Sequence, residues 1–579
     1  MRKISNERMY IIIIALLIFG MFQASIGRIY GFSLYPDEFG YWASAGRVAG
    51  YDWSGIASLG SYYSFGYSLI LIPILFIFKA GVTAYRAAIA VNYVMVFVGF
   101  VILYKISGRV FEVNYIKKCM ICAFCALYPP LIMYSQMTMA ETELVFLFIL
   151  LCYLIVEYTT SPSLVKMLCG IVVCIYMYSV HMRTVGVALS AILIYVLIGL
   201  SDKRLRRYIL ILMMAAIVAV LIFVIIRRQV IAGVFTYANE EELAINGYGS
   251  QWWKIRHILT SEGFKDFLTE FAGKIYYLVI SSLGLFLMSV IAGISGITDI
   301  IRGLKRRDDT GKAAQISYLS AFVLISIFAE IMISSIYMHG SYRADCLFYG
   351  RYDEFILPVA MIIGVYETYT ICEHYGLRRA LLCYGCEIVF IILLVPIFTS
   401  YLNEKNYEGI RGFFVSGIGY LNSATDYNVS QYVRNATITG IVFVIITATI
   451  LHLSYYISNG AYLIILLLVT QIFLGFRLSE QWTYRINSYL YPDFELVDRL
   501  SEETDRTLYY LDLDDNYYID FIRFNMPERD INVISLEDLN NIDMSKGYII
   551  INWNYIGVEE LAHGYKHNDQ YSMFNLIYD

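Results

Sequence analysis

Long apolar runs, parted by short clusters of Lys and Arg, dominate the first four-fifths of this chain. Runs at 10–26, 87–104, 119–137, 144–158, 164–180, 185–200, 208–226, 275–297, 313–336, 355–371, 380–398, 438–457 and 461–476 approach the ~20 residues with which a helix crosses a bilayer. The pattern predicts about thirteen transmembrane helices. A fourteenth run, 65–78, is too short for a full crossing and reads as a re-entrant or interfacial helix.

Charge orients these spans. Arg2, Lys3 and Arg8 precede the first run, which places the N-terminus in the cytoplasm. Lys105, Arg109, Lys117 and Lys118 then fall inside, as do Lys203, Arg204, Arg206, Arg207, Arg302, Lys305, Arg306, Arg307, Arg378 and Arg379. The opposite face receives four sizeable segments, 27–64, 227–273, 337–354 and 400–437, where function is expected. Hydropathy falls after Phe476. Residues 477–579 form a second, extracytoplasmic part in which 507–511, 531–535 and 548–553 read as strands and 516–524 and 557–563 as helices, a small α/β domain. The fold class is thus an α-helical polytopic membrane protein, 1–476, with an α/β domain at its end.

Composition agrees. With 59% hydrophobic residues in 579 and a mean hydropathy of +0.60, the chain has more apolar surface than soluble cores hide. The net charge of -5 is spread over loops without dense basic patches, so nucleic acid is not an expected partner. Nine of the 10 cysteines lie in or beside apolar runs, where thiols serve packing, and the C-x-x-C pairs Cys122/Cys125 and Cys383/Cys386 are read that way. The first run leads directly into polar, aromatic sequence and reads as a retained span rather than a signal peptide.

Against this background the acidic pair Asp37-Glu38, in Tyr35-Pro36-Asp37-Glu38-Phe39-Gly40-Tyr41, stands out. Pro36 suits the opening of a helix, and a carboxylate in a first turn is favoured by the helix dipole, as a general base or cation ligand requires. Tyr35, Tyr41 and Trp42 could pack aromatic faces around a sugar there, although an interfacial aromatic belt predicts similar residues. Glu141 and Glu143 occupy a tight outer hairpin. Glu141 has capping-box spacing from Thr138, whereas Glu143 would be costly against lipid and so faces a wet cavity or a cation. Arg183, beside His181, sits where two spans meet outside, and an anion such as a lipid phosphate or snorkelling to ordinary headgroups explains it. Arg343, Arg351 and Tyr352 form a later cluster, with a guanidinium suited to bidentate phosphate contact. In 227–273, Trp252 and its neighbours suggest surface helices over a site, and Glu240 to Glu242 a solvated face.

The order and sidedness of these groups resemble the GT-C glycosyltransferases, and within them the branch of protein O-mannosyltransferases and bacterial lipid A aminoarabinose transferases. The resemblance spans most of the membrane part. It implies a transferase that moves a sugar from a polyprenyl-phosphate donor to an acceptor hydroxyl outside the membrane, with inversion. It implies Asp37 as the catalytic base that deprotonates the acceptor, with Glu38 beside it as a second catalytic carboxylate, and Arg183, Arg351 and Arg343 as the groups holding the donor phosphate. Tyr35, Tyr41, Trp42, His181, Tyr352 and Trp252 would line the substrate cavity. Related oligosaccharyltransferases use a second acidic motif with a divalent cation, so Glu141 and Glu143 match candidate ligands for Mg or Mn, although closer members work without one. The acceptor would be a glycolipid, a polysaccharide or a protein, in the plasma membrane. Two other classes compete: a flippase, which predicts mid-membrane charges, and a polysaccharide polymerase, which centres on a late outer loop.

Overall fold

The computed structural model describes residues 6–201, 205–238, 243, 251–306, 312–341, 343–405, 410–421, 429–457, 459–513, 518–552 and 565–579. Among them, nine helices are long and apolar enough to cross a membrane. Helix covers every one of the thirteen runs, but not as thirteen equal rods. The run 119–137 is divided at Pro129 into Tyr115–Ala126 and Pro129–Tyr134, because proline cannot continue a helix from its preceding residue. Around 275–297 the chain breaks at Leu283 and Gly284, both at positive φ, into Ser261–Ser281 and Leu285–Arg306. Leu357–Lys405 is one long stretch turned at Gly376, whose φ of 75° suits a residue without Cβ, so two runs become two arms. The short run 65–78 holds the ten-residue helix Ser68–Ile77, as its length predicts.

The C-terminal sheet has five strands in the order β2-β1-β3-β5-β4: β1 Thr507–Leu511, β2 Ile531–Ile534, β3 Gly547–Asn552, β4 His567–Gln570 and β5 Phe574–Tyr578. β1 lies parallel to both β2 and β3, and the helix Ile519–Asn525 makes the crossover from β1 to β2. β5 pairs antiparallel with β3 and β4. The three expected strands are present, and the sheet is completed by two that the sequence reading passed over. The helix expected at 557–563 lies outside the described residues, as do Glu240, Glu241 and Glu242.

Two features of this fold set the position of the segment 27–64. Asn487 Oδ1 accepts from the backbone N–H groups of Tyr30 (2.6 Å) and Gly31 (2.9 Å). From the crossover helix, Arg523 donates to the Asp52 carbonyl at 2.6 Å, and Phe524 packs its ring 4.8 Å from Trp42 and 5.0 Å from Phe32. The C-terminal part therefore clamps the loop that presents Asp37.

Candidate active site

Asp37 opens the helix Asp37–Ala49, directly after Pro36. Neighbours on a helix point about 100° apart, so Asp37 and Glu38 cannot serve one cavity. Glu38 turns inward and is fully buried. It accepts from the N–H groups of Ser33 (2.6 Å) and Leu34 (3.0 Å), from Tyr85 Oη (2.5 Å), and from both the N–H and Oγ1 of Thr138 (2.7 Å each). Burial raises its carboxyl above the usual range, while these hydrogen bonds draw it back. Glu38 is a tie between two distant segments, and the geometry sets it apart from Asp37, with which the sequence grouped it. Thr138, enlisted by Glu38 and by Trp42 Nε1 (3.0 Å), does not cap the helix that carries Glu141.

Asp37 stays one-fifth exposed. Its Oδ1 accepts from Tyr63 Oη at 3.0 Å and its Oδ2 from Arg351 Nη2 at 2.8 Å. Arg351 Nε donates in turn to Glu141 Oε1 at 2.7 Å, and Arg183 Nη2 lies 3.5 Å from that same oxygen. Four side chains from distant segments thus make one alternating row: Asp37, Arg351, Glu141, Arg183. Burial works against the Arg351 charge, and Glu141 and Asp37 more than offset it, so the group stays above its ordinary range.

The row ends unbalanced. Arg183 is buried, yet Nε, Nη1 and Nη2 have no hydrogen-bond acceptor among the described residues; the contact to Glu141 is an ion pair in distance only. The guanidinium lies over the Tyr352 ring, 4.4 Å from its centroid. It forms the polar end of an otherwise largely apolar cavity of about 290 Å³ lined by His181, Trp252, Ile333, Tyr337 and Tyr352 among others. His181 Nδ1 accepts from the Arg183 N–H at 3.3 Å. Burial first, then the Arg183 and Arg351 charges, push His181 well below its usual range, so it enters as a neutral ring.

The loop bearing Arg351 is anchored from beneath. Glu354 accepts from Tyr134 Oη (3.1 Å), Ser416 Oγ (2.9 Å), the Gly417 N–H (3.1 Å) and Tyr277. Asp353 accepts from Ser334 Oγ at 3.0 Å. Burial raises the Asp353 carboxyl to about 7 despite the nearby Lys274 charge.

The other expected residues separate clearly. Trp252, His181 and Tyr352 line the cavity. Tyr35 packs on Phe32 and Tyr518, Tyr41 on Tyr63 and Tyr67, and Trp42 on Phe524, so these three build the wedge behind Asp37 rather than a sugar-binding wall. Arg343 is engaged by its own neighbour Asp345 through Nη2 (2.5 Å) and stacks on Phe414, outside the cavity lining. Glu141 is taken by two guanidiniums. Glu143, two residues on, faces the other side of its helix and accepts from Tyr176 Oη at 2.5 Å. The two carboxylates do not converge as a cation site, and no cluster of three or more His, Cys, Asp or Glu side chains suited to a metal occurs among the described residues. Nothing in the sequence marks Tyr63 as the partner of Asp37.

No protein-family model matches this chain, and no curated protein matches it by sequence. Solved structures do match. The fold is of the GT-C class, and it is similar along its whole length to ArnT from Cupriavidus metallidurans. The apo structure of that protein aligns with a TM-score of 0.54 at 12% identity, over 99% of this chain and 98% of that one. The structure of ArnT bound to undecaprenyl phosphate aligns with a TM-score of 0.50 at 12% identity, over 98% and 97%. The archaeal oligosaccharyltransferase AglB from Archaeoglobus fulgidus, in complex with an inhibitory peptide and a dolichol-phosphate, aligns over 95% of this chain and 69% of that one, with a TM-score of 0.42 at 10% identity. The GT-C architecture expected from the order of motifs is the one observed.

Proposed function

We propose that this protein is a membrane glycosyltransferase that moves a sugar from a polyprenyl-phosphate donor to an acceptor hydroxyl at the outer edge of the bilayer. One observation carries the reading: Arg183, a buried guanidinium without a hydrogen-bond acceptor among the described residues, ends a charge row that begins at a partly exposed carboxylate, Asp37. A buried donor left unpaired is costly, and an anionic ligand supplies what the protein withholds. The apolar remainder of the cavity suits a prenyl chain.

In this reading the acceptor oxygen attacks the anomeric carbon while Asp37 takes its proton. The bond from that carbon to the phosphate oxygen breaks, and the electron pair leaves with the phosphate toward Arg183 and Arg351. The anomeric centre inverts. Tyr63 and Arg351 each occupy one lone pair of Asp37, which orients the carboxylate and leaves further lone pairs for the proton. Glu141 holds the two guanidiniums at a spacing set by one oxygen atom. No step requires a metal from Glu141 or Glu143.

Purified protein supplied with radiolabelled polyprenyl-phosphate sugar and a crude envelope acceptor fraction should release polyprenyl phosphate and label the acceptor, whereas Asp37→Asn should do neither. A transporter would move the lipid without forming a glycosidic bond, and a polymerase centred elsewhere would tolerate the change; either result ends this proposal.

A further inference from the structure

At the end of the helix bundle opposite Asp37, three helices form a pocket that the proposed reaction does not use. Glu141 and Glu157 belong to the same helix, Ala140–Thr160, and at 1.5 Å per residue lie about 24 Å apart along it. The pocket measures about 510 Å³ and is lined by Tyr104, Lys105, Gly108, Arg109, Lys118 and Glu157, with Tyr153. Its charges do not balance. Glu157 serves both Arg109 (3.2 Å) and Lys166 (3.6 Å). Glu7, from the first helix, accepts from Tyr104 Oη at 2.6 Å. Lys105 and Lys118 meet no carboxylate within ion-pair distance among the described residues.

These lysines are instead placed by aromatic faces. Lys118 Nζ sits 4.1 Å from the Tyr104 ring centroid and Lys105 Nζ 5.9 Å from that of Tyr153, which holds both ammonium groups over the opening without neutralising them. Gly108 makes the room: a Cβ there would come within 3.3 Å of Lys118 Nζ. Two uncompensated ammonium groups with a half-neutralised Arg109, at the rim of apolar helices, are complementary to a phosphate.

We propose that this pocket binds the phosphate headgroup of an anionic membrane lipid, at the face remote from the transfer site. The lysines snorkel from helix ends to headgroup depth, so the phosphate arrives on a lipid whose chains run along the outward faces of the same helices. The test uses full-length protein in zwitterionic phosphatidylcholine nanodiscs doped with phosphatidic acid, read by native mass spectrometry and by thermal shift. Wild type should retain phosphatidic acid over phosphatidylcholine and gain thermal stability from it. Lys105→Ala/Lys118→Ala should lower that retention about tenfold or more, two surface cations each contributing several-fold. Gly108→Leu, which keeps every charge and fills the pocket, should lower it as well and guards against a double variant that folds poorly. Retention by both variants at the wild-type level would overturn the proposal, and so would equal protection by free inorganic phosphate, which would make the ligand a soluble anion. Glycosyl transfer by folded Gly108→Leu should match wild type, so failure here is separable from failure of the transferase reading.

Discussion

Arg351 reaches Asp37 through one terminal nitrogen at 2.8 Å and leaves its Nε for Glu141 at 2.7 Å. The guanidinium fork thereby fixes a carboxylate of the Asp37–Ala49 helix against one from the Ala140–Thr160 helix, more than a hundred residues away in the chain. Lysine, with a single ammonium centre, could not hold both at these angles.

Asp37→Asn preserves the shape of the side chain and removes its basicity. Transfer should fall by roughly 10²–10⁴-fold, the range that general-base catalysis contributes. The thermal midpoint should move little, because a partly exposed group loses one charge-assisted contact. A radiolabel transfer assay beside a melting curve checks both halves.

Arg183 presents the opposite balance. Its buried guanidinium has no hydrogen-bond acceptor among the described residues, so Arg183→Leu should leave the melting temperature unchanged or raise it while donor turnover is lost. Arg183→Lys should recover part of the turnover and little of the donor affinity, since one ammonium cannot pair bidentately with phosphate. A large fall in stability for the leucine variant would show Arg183 to be a structural ion rather than a ligand group.

Glu38→Ala should behave as a folding mutant. Five donors, the N–H groups of Ser33, Leu34 and Thr138 with the hydroxyls of Tyr85 and Thr138, would be left inside without their acceptor, and each unpaired buried donor costs about 1–3 kcal/mol. The expected result is a markedly lower melting temperature and poor recovery from detergent. If the variant instead folds normally and is inactive, Glu38 belongs to the chemistry after all.

Asp353 sets a pH dependence. Its carboxyl rises on folding from 3.8 to about 7, so the folded state binds the proton more tightly than the unfolded chain. The stability it contributes is complete below about pH 4 and declines as pH rises through the window up to about 7. Melting curves recorded from pH 5 to pH 8 should show a downward slope that Asp353→Asn flattens.

Much of the helical architecture was legible because apolar length is a local property, and each of the thirteen runs proved helical. Asp37 and Arg183 drew notice for a related reason, since an ion at a bilayer edge demands an explanation in the sequence itself, and the structure brings both into one charge row. The partition of Asp37 from Glu38 was not. It depends on Thr138 and Tyr85 arriving from other segments to claim the second carboxylate, and no local signal announces them. The packing of the aromatic residues beside the acid was not legible either: Trp42 meets Phe524 and Tyr35 meets Tyr518, both nearly five hundred positions later, and Tyr41 meets Tyr63 and Tyr67. The antiparallel pair β4 and β5 escaped because His567–Gln570 is wholly polar and carries no alternation.

The contact between Phe524 and Trp42 makes the chain's two ends interdependent. A version shortened before the sheet would keep its hydrophobic helices and still insert, but the ring cluster behind the turn that carries Asp37 would lose its backstop. Inheritance of activity should therefore track the tail as strictly as the acid itself, and a swap of tails between relatives should fail unless the matching aromatic partners travel with it.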